Sequence, residues 1–109
     1  MAKVQVVEDA DFGQEVESAN QPVVVDFTAE WCPPCKMLAP VLERVAGQFE
    51  GKVKVVKCDI DRNTQAPARY GVMKIPNLVF FKDGQVVDQT VGYLNETQLA
   101  EKFKTLSGS

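Results

Sequence analysis

Histidine is absent from the 109 residues, and cysteine occurs three times. Without histidine there is no Cys–His nucleophilic pair and no mixed Cys/His zinc site, and three cysteines cannot close a four-cysteine zinc site. No metal is expected. An odd cysteine count also makes a poor framework of structural disulfides. Positive charge is not in excess: 12 Lys+Arg stand against 15 Asp+Glu, for a net charge of −3. That argues against the basic face of a nucleic-acid binder. The one diluted basic cluster, Lys52, Lys54 and Lys57, is interleaved with valines and reads as the polar positions of a strand. No apolar run approaches the roughly 20 residues that span a bilayer. The opening Met1-Ala2-Lys3-Val4-Gln5 lacks the apolar core and cleavage site of a signal peptide, so a cytoplasmic protein without membrane association is expected. Repeats, linkers and low-complexity segments are also missing, which leaves a single domain over 1–109.

The hydrophobic patterning alternates between strand and helix. Val4, Val6 and Val7 suggest a first strand, and Asp9 is the expected cap of a helix carrying Phe12, Val16 and Ala19. Val23-Val24-Val25-Asp26-Phe27 is almost uniformly apolar, as a strand buried on both faces should be. Leu38, Val41, Leu42, Val45 and Phe49 recur at helical spacing, with Pro40 as an expected kink and Gly51 as the stop. Val53, Val55 and Val56 form the next strand, running into Cys58-Asp59-Ile60. Residues 61–69 read as a weaker helical segment broken by Pro67. Leu78-Val79-Phe80-Phe81 and a strand from Gln85 to Val91 flank Lys82-Asp83-Gly84, and the Asp-Gly pair signals an antiparallel hairpin. Asn95 and Gln98 have the spacing of a capping box, with Leu94 and Leu99 as its hydrophobic staple. Leu99, Phe103 and Leu106 supply that helix's buried side, and Ser107-Gly108-Ser109 reads as a frayed tail. The order predicts an α/β fold, a mixed sheet with helices on both faces, and leaves the strand order open.

Cys32 and Cys35 follow the buried strand and open the long helix. Two cysteines three apart on a first helical turn approach closely enough for a disulfide. The free amides and partial positive charge of a helix N-terminus favour the thiolate, which is the reactive form. Cys32, at the very start, is the candidate nucleophile. Cys35, one turn in and expected to be more buried, is the candidate resolving thiol. Thiol–disulfide exchange then runs through a mixed disulfide on Cys32 that Cys35 resolves. The bland alternatives are an inert packed pair or half of a metal site.

Val25-Asp26-Phe27-Thr28-Ala29-Glu30-Trp31-Cys32-Pro33-Pro34-Cys35-Lys36 resembles the active-site stretch of thioredoxins. Arg69-Tyr70-Gly71-Val72, Ile75-Pro76, Phe80-Phe81-Lys82-Asp83-Gly84 and Val91-Gly92 are similar to later stretches of that family, in the same order. The resemblance implies the thioredoxin fold, a central five-stranded sheet, three strands parallel and two antiparallel, flanked by four helices. It implies a monomeric protein-disulfide reductase with no bound cofactor beyond a redox-active Cys32–Cys35 disulfide. Its implied partners are disulfide-containing proteins and a flavin-dependent, NADPH-using thioredoxin reductase. Asp26 matches a buried proton acceptor for the resolving cysteine. The alternative is a carboxylate simply satisfied by Lys57. Pro76 matches a cis-proline facing the disulfide. The Ile75 backbone is implied to bond an extended substrate segment, a short form of strand addition. Trp31, Pro33, Pro34, Lys74, Ile75, Pro76 and Gly92 are the implied substrate-binding residues.

The chain departs from the family pattern at four places. Pro33 replaces a glycine, and two successive prolines are expected to bias Cys32 and Pro33 away from helical geometry. Thr28 replaces a tryptophan and removes apolar cover over the helix start. Lys74 replaces a glycine, either as a solvated lysine or as a cation that supports the thiolate or selects acidic substrates. Asn77 replaces a threonine, with no altered function assigned. Cys58 is either a small buried hydrophobe or a regulatory thiol. Besides a reductase, two functions compete: an oxidant or isomerase using the same chemistry, and a binding module without turnover, whose function would survive Cys32→Ser.

Overall fold

A computed structural model describes residues 4–108; Met1, Ala2, Lys3 and Ser109 lie outside the described residues. The elements run β1 (Val4–Val6), α1 (Asp9–Phe12, continued by a π-helical turn over Gly13–Glu17), β2 (Val23–Thr28), α2 (Pro33–Gln48), β3 (Lys54–Asp59), α3 (Gln65–Arg69), β4 (Asn77–Lys82), β5 (Gln85–Val91) and α4 (Glu96–Ser107). They form one five-stranded sheet in the order β1-β3-β2-β4-β5. β1 and β2 pair with β3 in parallel, and β4 pairs antiparallel with both β2 and β5.

The central position of β2 follows from its composition, since a strand with neighbours on both edges and helices on both faces must be apolar throughout. Val24 faces α2 and α4, in a core with Leu38, Leu42, Phe80 and Phe103. Val23, Val25 and Phe27 face the other layer, with Phe12, Val56 and Phe81. Asp26 is on the Val24 side by the two-residue alternation of a strand, which sends a carboxylate towards α2.

Local signals formed as the residues dictate. Asp83 and Gly84 both have positive φ, 53° and 77°, so the β4–β5 hairpin closes in two residues with Lys82 opposite Gln85. The Asn95 side chain accepts from the Gln98 amide at 2.8 Å, and the Gln98 side chain accepts from the Asn95 amide at 3.0 Å. Ser107 belongs to α4 rather than to a frayed tail, and Gly108 caps it in the left-handed conformation.

Three expectations are corrected. Asp9 does not cap α1, whose N-cap is Glu8. Its carboxylate accepts instead from the amides of Thr64, Gln65 and Ala66, at 3.1, 3.1 and 2.9 Å, and so caps α3. Those three hydrogen bonds hold its carboxyl below the usual carboxylate range, against the opposing effect of burial. Pro67 does not break a helix: α3 starts at Gln65, so Pro67 sits in the first turn, where an amide has no intrahelical acceptor to lose. α2 contains Pro40 and ends at Gln48, ahead of the expected stop at Gly51.

Candidate active site

The β2–α2 junction sets the reactive pair. Cys32 is the N-cap of α2 with extended backbone (φ −97°, ψ 107°), as a residue before proline should be. Pro33 departs from the expectation, because it is helical, at the first position of α2. A first-turn residue has no intrahelical amide bond to lose and a fixed φ suited to the helix, so proline is tolerated there. Cys35, at the third position, forms a disulfide with Cys32, with Cα atoms 5.3 Å apart. The Cys35 amide also donates to Cys32 Sγ at 3.3 Å.

A helix start ordinarily offers several free amides to an anion. Here Pro33 and Pro34 supply none, and the Lys36 amide donates to the Cys32 carbonyl. The Cys35 amide is therefore the contact that favours a Cys32 thiolate. Pro33→Gly adds a donor and is expected to lower the Cys32 pKa. A helix-terminus interaction contributes about 0.3–1 kcal/mol and one pKa unit is about 1.4 kcal/mol, so the change stays below about one unit. Thiolate absorbance against pH measures it; a larger drop contradicts this assignment.

The 71–76 loop faces the disulfide. The Ile75–Pro76 peptide is cis. The Ile75 carbonyl oxygen lies 3.9 Å from Cys32 Sγ, and the Ile75 side chain packs against Ala29, Cys32 and Cys35. Pro76 is buried, and its carbonyl accepts from the Gly92 amide at 2.8 Å. Gly92 has φ +97°, a conformation that excludes most side chains although space around it is open. Lys74 is exposed on the loop. Trp31 is 63% exposed, so it is no core residue, and its indole N–H donates to Asp61 at 2.7 Å.

Behind the disulfide, a cleft of about 660 Å³ is lined by Asp26, Thr28, Cys35, Ala39 and Lys57, among others. Asp26 is 4% exposed and its Oδ1 has no hydrogen-bond partner. Burial pushes its carboxyl up to about 7, while the charge of Lys57 pulls in the opposite direction. Lys57 lies directly opposite Asp26 in the β2–β3 register and is exposed. It therefore moderates Asp26 through its field and leaves Oδ1 without a hydrogen bond.

The two cysteines are equally buried, at 3% exposure each, contrary to the expectation of a deeper Cys35. Position distinguishes them: Cys32 Sγ lies against the Ile75 carbonyl of the 71–76 loop, and Cys35 lines the cleft with Asp26. Cys58 is fully buried, and burial together with the nearby Asp9, Glu8 and Asp59 charges pushes its thiol up to about 12. It is a small core residue in this fold. In the folded, oxidised protein at pH 7, a thiol reagent is expected to leave Cys58 unlabelled and to modify it on unfolding. Rapid labelling of the folded chain contradicts this.

Sequence reasoning missed Asp61, which fixes the exposed indole of Trp31. The only trace of it lies in the β2–β3 register: the Ile60 amide bonds the Thr28 carbonyl and so carries residue 61 to the β2–α2 junction. Among the described residues, no group of three or more His, Cys, Asp or Glu side chains is placed to hold a metal ion. No helix among them is long and apolar enough to cross a membrane.

A Cys-x-x-Cys disulfide at a helix start, beside a buried carboxyl that burial pushes up to about 7, is the arrangement of a thiol–disulfide oxidoreductase. The thioredoxin family model matches residues 3–105. The chain is 54% identical over 94 residues to a thioredoxin of Pseudomonas aeruginosa, covering 86% of this chain and 87% of that protein. It is 50% identical over 100 residues to a thioredoxin of Haemophilus influenzae, covering 92% and 94%. Against a thioredoxin of Staphylococcus aureus it is 54% identical over 101 residues, covering 93% and 94%. The chain belongs to the thioredoxin family.

Proposed function

We propose that this chain reduces disulfides in other proteins, with Cys32 as nucleophile, Cys35 as resolving thiol and Asp26 as proton acceptor. The observation that carries the reading is the placement of the Cys32–Cys35 pair. One sulfur lies against the Ile75 carbonyl of an exposed loop, and the other belongs to a cleft holding an unpartnered carboxyl. A cysteine in an extended substrate segment pairs alongside Ile75 and meets Cys32. Trp31, next to Cys32 in the chain, and Met73, two residues before Ile75, expose apolar side chains that such a segment can cover. Pro33, Pro34, Lys74, Pro76 and Gly92 frame that surface: Pro33, Pro34 and Lys74 are exposed, and Pro76 and Gly92 hold the loop's backbone.

The electrons balance in two exchanges. The Cys32 thiolate attacks a substrate sulfur, its new S–S bond replaces the substrate's, and a substrate thiolate leaves. Cys35, losing its proton towards Asp26, attacks Cys32 Sγ and displaces the second substrate thiolate. The chain ends oxidised, and a flavin-dependent, NADPH-using thioredoxin reductase in the cytoplasm returns it to the dithiol. Lys57 keeps Asp26 from rising further, so the carboxyl can exchange protons near pH 7. The test is NADPH oxidation by a bacterial thioredoxin reductase in the presence of this chain and a disulfide-containing protein. Turnover that requires all three components is expected; oxidation no faster than without the chain contradicts the reading.

A further inference from the structure

The loop over 71–76 carries Ile75 to the disulfide, yet its middle is unsupported: Met73 is 93% exposed and Lys74 is exposed. Val72 and Ile75 pack inward and the Val72 amide donates to the Pro67 carbonyl at 2.9 Å, and the rest of the loop's hold comes from its two ends. At the first end, the Tyr70 ring packs against Phe12 and Phe81, with centroids 5.6 and 5.0 Å apart, and its hydroxyl donates to Glu17. At the other end, Asn77 begins β4, buried, opposite Val91 and Phe27. One side chain spans both ends. The Gln89 amide nitrogen on β5 donates to the Tyr70 carbonyl at 3.3 Å and to Asn77 Oδ1 at 3.0 Å. A primary amide carries two hydrogens, so both acceptors are served at once.

We propose that Gln89 is a positioning residue for substrate docking, a staple that closes the base of the 71–76 loop and so fixes the Ile75 backbone against Cys32. The proposal rests on the docking role given to Ile75 above. Gln89 touches neither sulfur, and Asn77 supplies the acceptor that a shorter threonine hydroxyl would not present in the same way. A loop freed at its base still permits chemistry at Cys32. It no longer presents a prepaid edge to an extended protein segment, so the cost falls on docking.

Gln89 is exposed, so its replacement leaves the core intact. The experiment compares Gln89→Leu, which keeps the bulk without the donors, and Gln89→Glu, which keeps the shape but sets an acceptor against two acceptors. Each is assayed with a disulfide-containing protein and with a small aromatic disulfide, and the 71–76 amides are followed by hydrogen exchange. Both variants are expected to lose about three- to tenfold in rate constant with the protein substrate, the scale of one or two net hydrogen bonds. The small-disulfide rate should stay near wild type, the thermal midpoint should fall by no more than the several degrees that one or two hydrogen bonds supply, and exchange should quicken over 71–76. A peptide disulfide N-methylated at the amides flanking its cysteine cannot pair with the Ile75 backbone and tests the docking reading separately. If N-methylation slows reduction of the peptide and the Gln89 variants do not slow the protein substrate, the staple is overturned and docking stands. If neither change slows reduction, docking and the staple fall together. Equal losses with both substrates for the Gln89 variants also overturn the proposal, since they mark a general effect on the disulfide.

Discussion

Cys32→Ser is expected to abolish reduction of protein disulfides to the buffer background, while Cys35→Ser stops the reaction halfway with the substrate attached. The asymmetry follows from where each sulfur sits. Cys32 is the helix N-cap and accepts the Cys35 amide, the one first-turn donor left by two prolines, so its anion is the stabilised one. It also borders the Ile75 carbonyl, where an incoming segment would lie. Cys35, one helical turn in, borders the Asp26 cleft and has its sulfur bonded to Cys32, the partner it is placed to attack. Without Cys35, the mixed disulfide on Cys32 has no internal thiolate to displace it and accumulates. Mass spectrometry of the Cys35→Ser variant mixed with an oxidised protein substrate reads this as one covalent adduct, mapped to Cys32. An adduct on Cys58 contradicts the assignment, as does residual turnover by Cys32→Ser. A binding module without chemistry would tolerate both changes.

Asp26→Asn should make the folded protein more stable at pH 8 and slow resolution by Cys35. The Asp26 carboxyl titrates at about 7 in the fold against an ordinary value of 3.8, because burial disfavours its charged form. The sign follows from proton counts. Between about pH 4 and 7 the folded chain holds a proton that the unfolded chain has lost, so stability falls as pH rises through that window. Above both values the cost is constant, on the order of 4 kcal/mol. Below about pH 4 the carboxyl is protonated in both states and costs nothing extra. Asparagine carries no charge, so a gain of about 2–4 kcal/mol is expected at pH 8, shrinking towards zero at pH 4. An amide with the same unmet hydrogen bond keeps the gain at the lower end. Urea unfolding at both pH values checks this. Parallel pH profiles for the variant and the wild type would show that Asp26 is not the group responsible.

What the sequence revealed and what it hid divide by range. The Asn95–Gln98 box and the Asp83-Gly84 turn involve residues within three positions of each other, and both formed as read. The limits of β5 were also legible, since a turn fixes its start. Asp9 misled because its side chain has two nearby uses. It precedes one helix but caps another over 50 residues away, and only the packing of α1 against α3 decides. At the site, the cysteine spacing announced the disulfide, and the family resemblance singled out Asp26 as a buried proton acceptor. The equal burial of the two cysteines was not legible, because it depends on Ile75 arriving from 43 residues away. The Trp31–Asp61 bond and the Gln89 staple were invisible for the same reason. Each joins side chains that only the sheet register brings together.

The reduction potential of the Cys32–Cys35 pair, measured by equilibration against a dithiol buffer, tests the reductase reading most directly. Thioredoxins poise near about −270 mV, a reference value for the family and not a deduction from this geometry. Two prolines remove amide donors beside Cys32 and so withhold part of the stabilisation a thiolate would receive, which leaves the dithiol a willing electron donor. A value near that reference is the expected result. A value above about −200 mV, approaching the range of disulfide isomerases, would contradict it and make this chain an oxidant or isomerase.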